Sequence, residues 1–510
     1  MSTAKAWAGF IAMCVGMFMA ILDIQVVASS LTFIQAALNI PSDMTSWIQT
    51  AYLIAEVVAI PLTGWLTRAM SLRWMFVAAT AGFTIASLGC ALSTSAEELI
   101  AIRVVQGFCG GMLIPAVFTS AFTILPERHR VLATVFAGVF AMIAPTAGPT
   151  VGGYLAETFS WHWIFLINIV PGVLVTLAVA GFIETGKAEW KFFRQIDYGT
   201  IALAAAFLAA LELLLKEGPK HNWQGNEVLE LAVACIVCGA IGFVLCMRRP
   251  YPFVDLRRFK NLNFSVGCGL SFILGIGLYG STYILAVFLG IVRGHTPLEI
   301  GKVMMVSGAV QLIAAPVAAL LETRIDARVL VGVGYGLFCA GLLSNGFQTF
   351  HTDFGGLFWP QVLRGASVML CILPATRLAL DGWPAKDLPD ASGMFNLMRN
   401  LGGAIGIALI DTILEQRTKD HAVAIGEALK QGSRVVAREV GLPVQMFHDT
   451  PMPPMDTFTR LSMEPLVTRA ALVRSFNEAW LLIGILFALS LLALPFVKGK
   501  PWRPNGAAAE

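Results

Sequence analysis

Charge is scarce along this chain. Asp, Glu, Lys and Arg together make up 13% of its 510 residues, against roughly 25% in soluble domains. Hydrophobic residues make up 57%, and the mean hydropathy is +0.73. This composition lies outside the range of soluble globular proteins and predicts a chain that crosses a membrane many times.

Motifs of catalysis and nucleotide binding are also missing. The sequence contains no Walker-type lysine motif, no G-x-S-x-G and no H-E-x-x-H, and its seven histidines are scattered without metal-ligand spacing. The nine cysteines all fall in apolar runs, so a disulfide framework is not expected. We therefore expect neither an enzyme nor a bound cofactor or metal, and ATP is not an evident energy source.

Fourteen apolar runs are long enough to cross a bilayer as helices, which takes about 20 residues. If the N-terminus is inside, twenty Lys and Arg fall on cytoplasmic segments, and only Lys216, Lys220 and Arg293 fall on short outer loops. This excess predicts that both termini are cytoplasmic. The predicted spans are 8–30, 46–66, 74–92, 98–120, 131–156, 162–183, 197–216, 227–247, 264–290, 298–321, 328–347, 355–380, 392–415 and 477–497.

Segments of the first half of the chain resemble segments of the second half. PLTGWLTRAMSLR (61–73) matches PVAALLETRIDAR (316–328), and QGFCGGMLIP (106–115) matches RGASVMLCILP (364–374) at nearly the same offset. Repeated halves are typical of transporters. The expected fold is an all-α polytopic membrane protein with two six-helix bundles and two inserted helices. Its predicted parts are 1–195, 196–260 and 261–510, the last including a long outer loop at 416–476.

One aspartate and one arginine stand inside apolar spans. Asp23 lies near the centre of AMCVGMFMAILDIQVVASSL (12–31), and Arg103 lies near the start of the fourth span. A charge at the bilayer centre costs roughly 2.5–3.5 kcal/mol on insertion scales, so such residues usually have a function. Asp23 and Arg103 are candidates for a pair that responds to protons. A static salt bridge that fixes helix packing is the alternative.

Polar residues recur along one face of the second span. Gln49, Tyr52, Glu56, Ala59 and Thr63 are spaced by three or four residues, while the opposite face is Ile, Leu and Val. The stripe predicts contact with a water-filled cavity or with the bundle interior. We expect Glu56 to join Asp23 and Arg103 in proton coupling. Alternatively, a protonated Glu56 hydrogen-bonds a neighbouring helix.

A substrate cavity is expected near the midplane, between the two halves. The embedded acids are concentrated in the first half and the embedded bases in the second. Acids would suit cationic cargo and arginines would suit anions, and the sequence does not decide between them. The residues predicted to line the cavity are Gln25, Gln49, Tyr52, Gln106, Tyr279, Arg364, Asn396 and Arg399.

The fifth span has an unusual density of glycine and proline. The stretch APTAGPTVGG (144–153) stands where a helix interior is predicted. Such residues bend a membrane helix and allow close packing, which the rocking of two halves requires. The predicted gating residues of this stretch are Pro145, Gly148, Pro149, Gly152 and Gly153.

Taken together, these motifs resemble the major facilitator superfamily. The residues that carry the resemblance are LDIQVV, GWLTRAMSLRW, RVVQGFCGG and APTAGPTVGG. With fourteen predicted spans and a long loop before the last one, the chain resembles drug:proton antiporters of the EmrB/QacA type, and the EmrB branch in particular. The resemblance implies proton-driven export of lipophilic or amphipathic compounds across the cell inner membrane. It also implies that Asp23 acts in coupling or cation recognition and Arg103 in proton transfer.

The EmrB branch works with a periplasmic adaptor and an outer-membrane channel, so the resemblance makes the loop 416–476 a candidate contact for these partners. In the first cytoplasmic motif, Arg68 replaces the usual acid and Ser71 the second glycine, and we expect Arg68 and Arg73 to take part in gating. Ala144 replaces the leading glycine of the fifth-span motif.

A carrier of the same fold for one metabolite or lipid is the alternative function, followed by a non-transporting membrane sensor.

Overall fold

The computed structural model of the protein describes residues 3–40, 42–184, 198–248, 255–322, 324–384, 386–450 and 457–496, and every regular element within them is helical. Several expected features lie outside these ranges. They are the first predicted domain boundary, at 195–196, and the predicted cytoplasmic residues Lys187, Lys191, Arg194, Arg249, Lys498, Lys500 and Arg503.

The helices follow the predicted order of two halves with an insertion between them. The inserted pair is α7 (Tyr198–Lys220) and α8 (Asn226–Arg248). The first half consists of α1 (Thr3–Leu38), α2 (Ser42–Leu92), α3 (Ala96–Thr123), α4 (Arg130–Thr158), α5 (Trp163–Leu166) and α6 (Ile169–Phe182). The second half consists of α9 (Leu262–Val287), α10 (Pro297–Glu322), α11 (Ala327–Ser344), α12 (Phe354–Leu380), α13 (Leu388–Lys430), α14 (Arg434–Val440) and α15 (Thr457–Ser490).

The number of membrane crossings is compatible with fourteen. Twelve segments of the described chain are long and apolar enough to cross a bilayer, and the bent helix α4 makes a thirteenth. One of the twelve, Trp47–Leu92, has 46 residues, about 69 Å at 1.5 Å per residue. That is more than twice the ~30 Å hydrocarbon core, so its two arms are counted as two crossings.

The two arms of α2 meet at Ser71. Its backbone has φ 71° and ψ 155°, so the helix is broken there although the surrounding residues remain helical. The sequence predicts a loop between 66 and 74, whereas the structure makes the turn with one strained residue. A positive φ is uncommon for a residue that carries a Cβ, and glycine adopts it without penalty.

Replacing Ser71 by glycine is therefore expected to stabilise the protein. Ser71 is buried and its hydroxyl has no hydrogen-bond partner, so Ser71→Gly removes both the strain and an unpaired polar group. We expect a gain of about 1 kcal/mol, measured as a higher thermal unfolding temperature in detergent. Ser344→Gly is the matched control. Ser344 has φ −65° in ordinary helix geometry, so glycine there should lower the unfolding temperature. An unchanged or lower value for Ser71→Gly would show that Ser71 is not strained.

Helices of the two halves meet along two seams. α2 packs against α13 on one side of the molecule, and α4 packs against α10 on the other. The inserted helix α7 packs on both α2 and α13, and therefore lies across the first seam. It is anchored to α2, where the Lys216 amine donates to Thr50 Oγ1, and the loop that follows it is anchored to α13, where Trp223 Nε1 donates to Thr412 Oγ1 at 2.9 Å. The insertion thus contacts both halves.

The predicted loop 416–476 is mostly helical. α13 continues beyond the predicted end of its span at 415 to Lys430, and α15 begins at Thr457, twenty residues before the predicted start at 477. These extensions and α14 share a small core, separate from the main one. Hydropathy marks where a helix leaves the membrane, whereas a helix with a charged surface can continue into water. The second core consists of Ile425, Leu429, Ala437, Val440, Phe447, Ala470 and Ala471.

Candidate functional site

Asp23 and Arg103 form an ion pair in the interior of the first half. Both side chains are fully buried, and Arg103 Nη1 contacts Asp23 Oδ2. The other carboxylate oxygen accepts hydrogen bonds from Asn168 Nδ2 at 2.8 Å and from Gln106 Nε2 at 3.1 Å. The carboxylate therefore has a charged partner and two amide donors, as a buried charge requires.

Arg103 has further partners on two helices. Its Nη1 donates to Gln106 Oε1 at 2.7 Å, and its Nε donates to the Ile48 carbonyl at 3.2 Å. The guanidinium carbon lies 4.2 Å from the centroid of the Tyr52 ring, a cation–π distance. Gln106 Nε2 extends the network to Ser87 Oγ at 2.8 Å. One network thus joins α1, α2, α3 and the residue before α6, so a change of charge at Asp23 affects four elements.

The polar stripe of α2 faces the bundle interior. Tyr52, Glu56, Ala59 and Thr63 are all buried, and of the stripe only Gln49 lines the cavity between the two halves. The glycines of α3 allow α3 to cover the stripe. A Cβ on Gly107 would overlap the Tyr52 carbonyl, and one on Gly111 would lie 2.6 Å from the Glu56 carbonyl. Of the two environments expected for the stripe, the structure therefore shows the bundle interior.

Glu56 has an acidic neighbour that the sequence reasoning missed. Glu212 of α7 interacts electrostatically with Glu56, as does Arg103. The Lys216–Thr50 contact aligns the antiparallel helices α7 and α2, and Glu212 lies one turn further into the membrane than Lys216. A carboxylate within an apolar run was the signal that identified Asp23. The same signal is present in AALELLLK (209–216).

A cavity of about 490 Å³ lies between the two halves. This volume is within the range of sites for drug-sized molecules. The first half contributes residues of α1, α2, α3 and α4, and the second half residues of α9, α10, α12 and α13. Five of the eight residues predicted for the cavity line it, namely Gln25, Gln49, Tyr279, Arg364 and Arg399.

The other three residues predicted for the cavity lie elsewhere. Tyr52 and Gln106 belong to the Asp23–Arg103 network, and Asn396 accepts a hydrogen bond from Arg399 Nη2. Asp23 and Glu56 do not line the cavity either. The sequence assigns residues to helix faces, but which face meets the cavity depends on the rotation of each helix in the bundle.

The glycine- and proline-rich stretch of α4 packs against α1. α4 bends by 46° between Pro145, which lines the cavity, and Thr150. A Cβ on Gly148 would overlap the Gln25 side chain, and one on Gly152 would lie 2.7 Å from the Val26 carbonyl. Gly153 is buried in the same stretch, and Pro149 lies within the helix. The bend therefore lies directly beside the part of α1 that lines the cavity.

An ion pair joins the halves on the predicted cytoplasmic side. Arg68 of α2 contacts Asp390 Oδ2 of α13, and Arg258 Nη2 approaches the same oxygen at 3.2 Å. Arg258 also pairs with Asp387 Oδ1 at 3.1 Å. Arg73, by contrast, donates to the Ala180 carbonyl of α6, within its own half. The charge that the sequence shows at Arg68 thus has an acidic partner, 322 residues further along the chain.

These features fit known proteins. Residues 13–407 match the family model described as Major Facilitator Superfamily. The chain is 41% identical to "Colistin resistance protein EmrB" of Acinetobacter baumannii over 83% of both chains, and 30% identical to "Multidrug export protein EmrB" of Escherichia coli over 82% of both. The fold is similar to that of the proton:xylose symporter XylE, with a TM-score of 0.60, 12% identity and coverage of 98% of this chain and 97% of XylE.

Proposed function

The chain belongs to the major facilitator superfamily and to its EmrB-type branch, and from this membership we propose that it exports lipophilic or amphipathic compounds from the cytoplasm in exchange for protons. It is a multi-span membrane protein, proposed to lie in the cell inner membrane with both termini inside. The observation that carries the proposal is a buried carboxylate–guanidinium pair beside a drug-sized cavity between two repeated halves.

Proton coupling is proposed to begin at Asp23. A proton on its carboxyl group removes the negative charge that neutralises Arg103, and the amide donors of Asn168 and Gln106 then lose an anionic acceptor. Such a change favours a different packing of α1 against α3 and α6. Since Ile21 and Gln25 of α1 line the cavity, movement of α1 changes the cavity wall directly.

The cytoplasmic gate is proposed to include the pair Arg68–Asp390. The cavity is lined by the predicted outer parts of α1, α9 and α10, while this pair joins the halves on the inner side. In alternating access the inner contact must break before substrate enters from the cytoplasm. The bend of α4 between Pro145 and Thr150, where α4 packs against α1, is proposed as the flexible point on the other seam.

The helical extensions of α13 and α15 are proposed to contact a periplasmic adaptor, and through it an outer-membrane channel. Their separate core supports a rigid projection, as do two ion pairs, one between α13 and α15 and one between α15 and α14. Arg417 Nε binds Glu478 Oε2 at 2.7 Å, and Arg474 donates to both oxygens of Glu439 at 2.6 Å. A rigid projection presents a constant surface to a partner, which lowers the entropy lost on binding.

Reconstitution tests the exporter function. Proteoliposomes with an acidic lumen are supplied with chemically unrelated amphipaths, including ethidium and 1-pyrenebutyrate, while a trapped dye reports lumenal pH. We expect at least one compound to accumulate against its gradient and to raise the lumenal pH as it enters. Protein-free liposomes are the control. Accumulation of none of the compounds, with no effect on the pH gradient, would contradict the proposal.

A further inference from the structure

The central cavity has positively charged side chains in its lining and no carboxylate. Among the described residues that line it, Arg364 and Arg399 are charged and no Asp or Glu is present. Three acids near the cavity lie outside its lining, and one of them, Glu56, acts electrostatically on Tyr279 of the cavity wall. Asp23 is paired with Arg103, and Asp411 accepts a hydrogen bond from Tyr283 at 2.6 Å without lining the cavity. Buried charges are normally paired, so two arginines without acidic partners are unusual.

Three buried side chains at the cavity have N–H groups without acceptors. The unpaired atoms are Arg364 Nε, Arg399 Nη1 and Gln311 Nε2. Arg364 is 5% exposed, Arg399 3% and Gln311 6%, so these groups are removed from bulk solvent. Leaving a buried donor unpaired costs roughly 1–3 kcal/mol and more for a charged group. An acceptor that enters the cavity could pair with these groups, and the charge of the lining favours an anionic one.

Both arginines interact with the same turn of α9. Arg364 Nη2 donates to Thr282 Oγ1 at 3.4 Å, and Arg399 interacts electrostatically with Tyr279. Tyr279 and Thr282 are three residues apart, which places them on the same face of the helix. Arg364 and Arg399 therefore both act on this face of α9, and both line the cavity. Arg364 Nη1 is held by Gln361 Oε1 at 2.9 Å, which fixes the orientation of its planar group.

We propose that the cavity selects amphipathic organic anions, whose carboxylate, sulfonate or phenolate group binds between Arg364 and Arg399 with Gln311 as a further donor. Guanidinium groups bind such oxygens with directed hydrogen bonds. The apolar part of the ligand lies against Ile21, Leu278 and Met304 on the other walls. This inference rests on the proposed export function and names its substrate class. The acids of the first half then act on protons and not on cargo, because they are outside the lining.

Binding of matched probes to the purified protein in nanodiscs tests the inference. 1-Pyrenebutyrate, its trimethylammonium analogue and 1-pyrenebutanol share one ring and chain length and differ in charge, and empty nanodiscs correct for lipid partition. We expect the anion to bind at least about tenfold tighter than the cation, with the alcohol between them. Equal or tighter binding of the cation would overturn the inference without any variant being made.

Two substitutions test the assigned residues. Arg364→Gln and Arg399→Gln should each weaken binding of 1-pyrenebutyrate by about tenfold or more, and leave binding of 1-pyrenebutanol nearly unchanged, which also shows that the variants are folded. Arg364→Lys and Arg399→Lys should retain part of the preference because the charge remains. Arg434→Gln, at an exposed position on α14, is the control. An unchanged anion-to-cation ratio in both glutamine variants would overturn the assignment.

Transport separates this inference from the export function. When one anion enters the lumen of a proteoliposome in exchange for one proton that leaves it, the lumen gains two negative charges. A lumen-positive potential should therefore accelerate uptake of 1-pyrenebutyrate. Uptake of ethidium in preference to 1-pyrenebutyrate would leave the exporter in place and overturn the anion site. Transport of no amphipath of any charge would contradict the exporter itself, whereas the nanodisc measurement would still decide whether the cavity binds anions.

Discussion

Asp23→Asn is expected to abolish proton-driven transport, with a fall of at least about a hundredfold, and to destabilise the protein. The substitution leaves Arg103 buried without a counter-charge, and breaking a buried ion pair on one side costs roughly 3–5 kcal/mol. Loss of transport in this variant alone would not separate coupling from folding. The unfolding temperature in detergent is therefore measured together with proton and substrate flux.

The double variant Asp23→Asn/Arg103→Gln separates the two roles. With both charges removed, no unpaired charge remains, and we expect most of the stability to return. Transport should remain absent, because neither side chain can take up or release a proton. Glu439→Gln removes an acid from an ion pair with Arg474 outside the membrane and should leave transport unchanged. A double variant that transports at the wild-type rate would show that Asp23–Arg103 is a static salt bridge.

Arg68→Gln is expected to weaken closure of the predicted cytoplasmic side without leaving a buried charge unpaired. Arg258 remains to neutralise Asp390, so the variant removes one ion pair between the halves and leaves their helix packing in place. A loss of about 1.4 kcal/mol changes the ratio of open to closed forms tenfold. We expect transport to fall by about this factor. Amide hydrogen exchange around the break of α2 at Ser71 and at the N-terminal end of α13 should become faster by a similar factor.

Asp390→Asn should have the larger effect of the two. It removes the shared acceptor, so Arg68 loses its acidic partner while Arg258 keeps only Asp387. Asp255→Asn is the matched control on the same side of the membrane. It breaks a partly exposed pair with Arg257, of a kind worth at most about 1 kcal/mol. Unchanged exchange rates and transport in both Arg68→Gln and Asp390→Asn would show that this ion pair does not hold the halves together.

The sequence was most informative where a charged residue stands within an apolar span. A charged side chain in an apolar span costs free energy whatever its neighbours are. Asp23 and Arg103 were therefore identifiable as candidate functional residues without a structure. Glu212 carries the same signal, a carboxylate in an apolar run. The partners Ser87 and Asn168 carry no such signal, because a serine or asparagine within a span is common. Asn168 lies 145 residues from Asp23, and only the packing of α6 against α1 brings them together.

The local sequence also does not determine which residues pair at the proposed gate or how sharply α2 turns. Arg68 was notable because it replaces an acid, but its partner Asp390 comes from the other half of the chain. Likewise, the strain at Ser71 arises because the two arms of α2 must meet at a particular angle. Both features depend on contacts or directions fixed by distant helices, and a pattern within twenty residues does not contain them.

By itself, the sequence determined that this is a membrane protein of two repeated halves with an inserted helix pair and charges buried in the first half. Hydropathy, helical period and internal repeats are properties of the local chain, and they require no knowledge of neighbours. The tertiary structure decided which polar residues meet the cavity: the acids of the first half are covered by α3 and α6, while Arg364 and Arg399 of the second half face the cavity. The physical reason is that helix rotation is set by packing between helices, because the lipid tails are as apolar as most of the side chains they face.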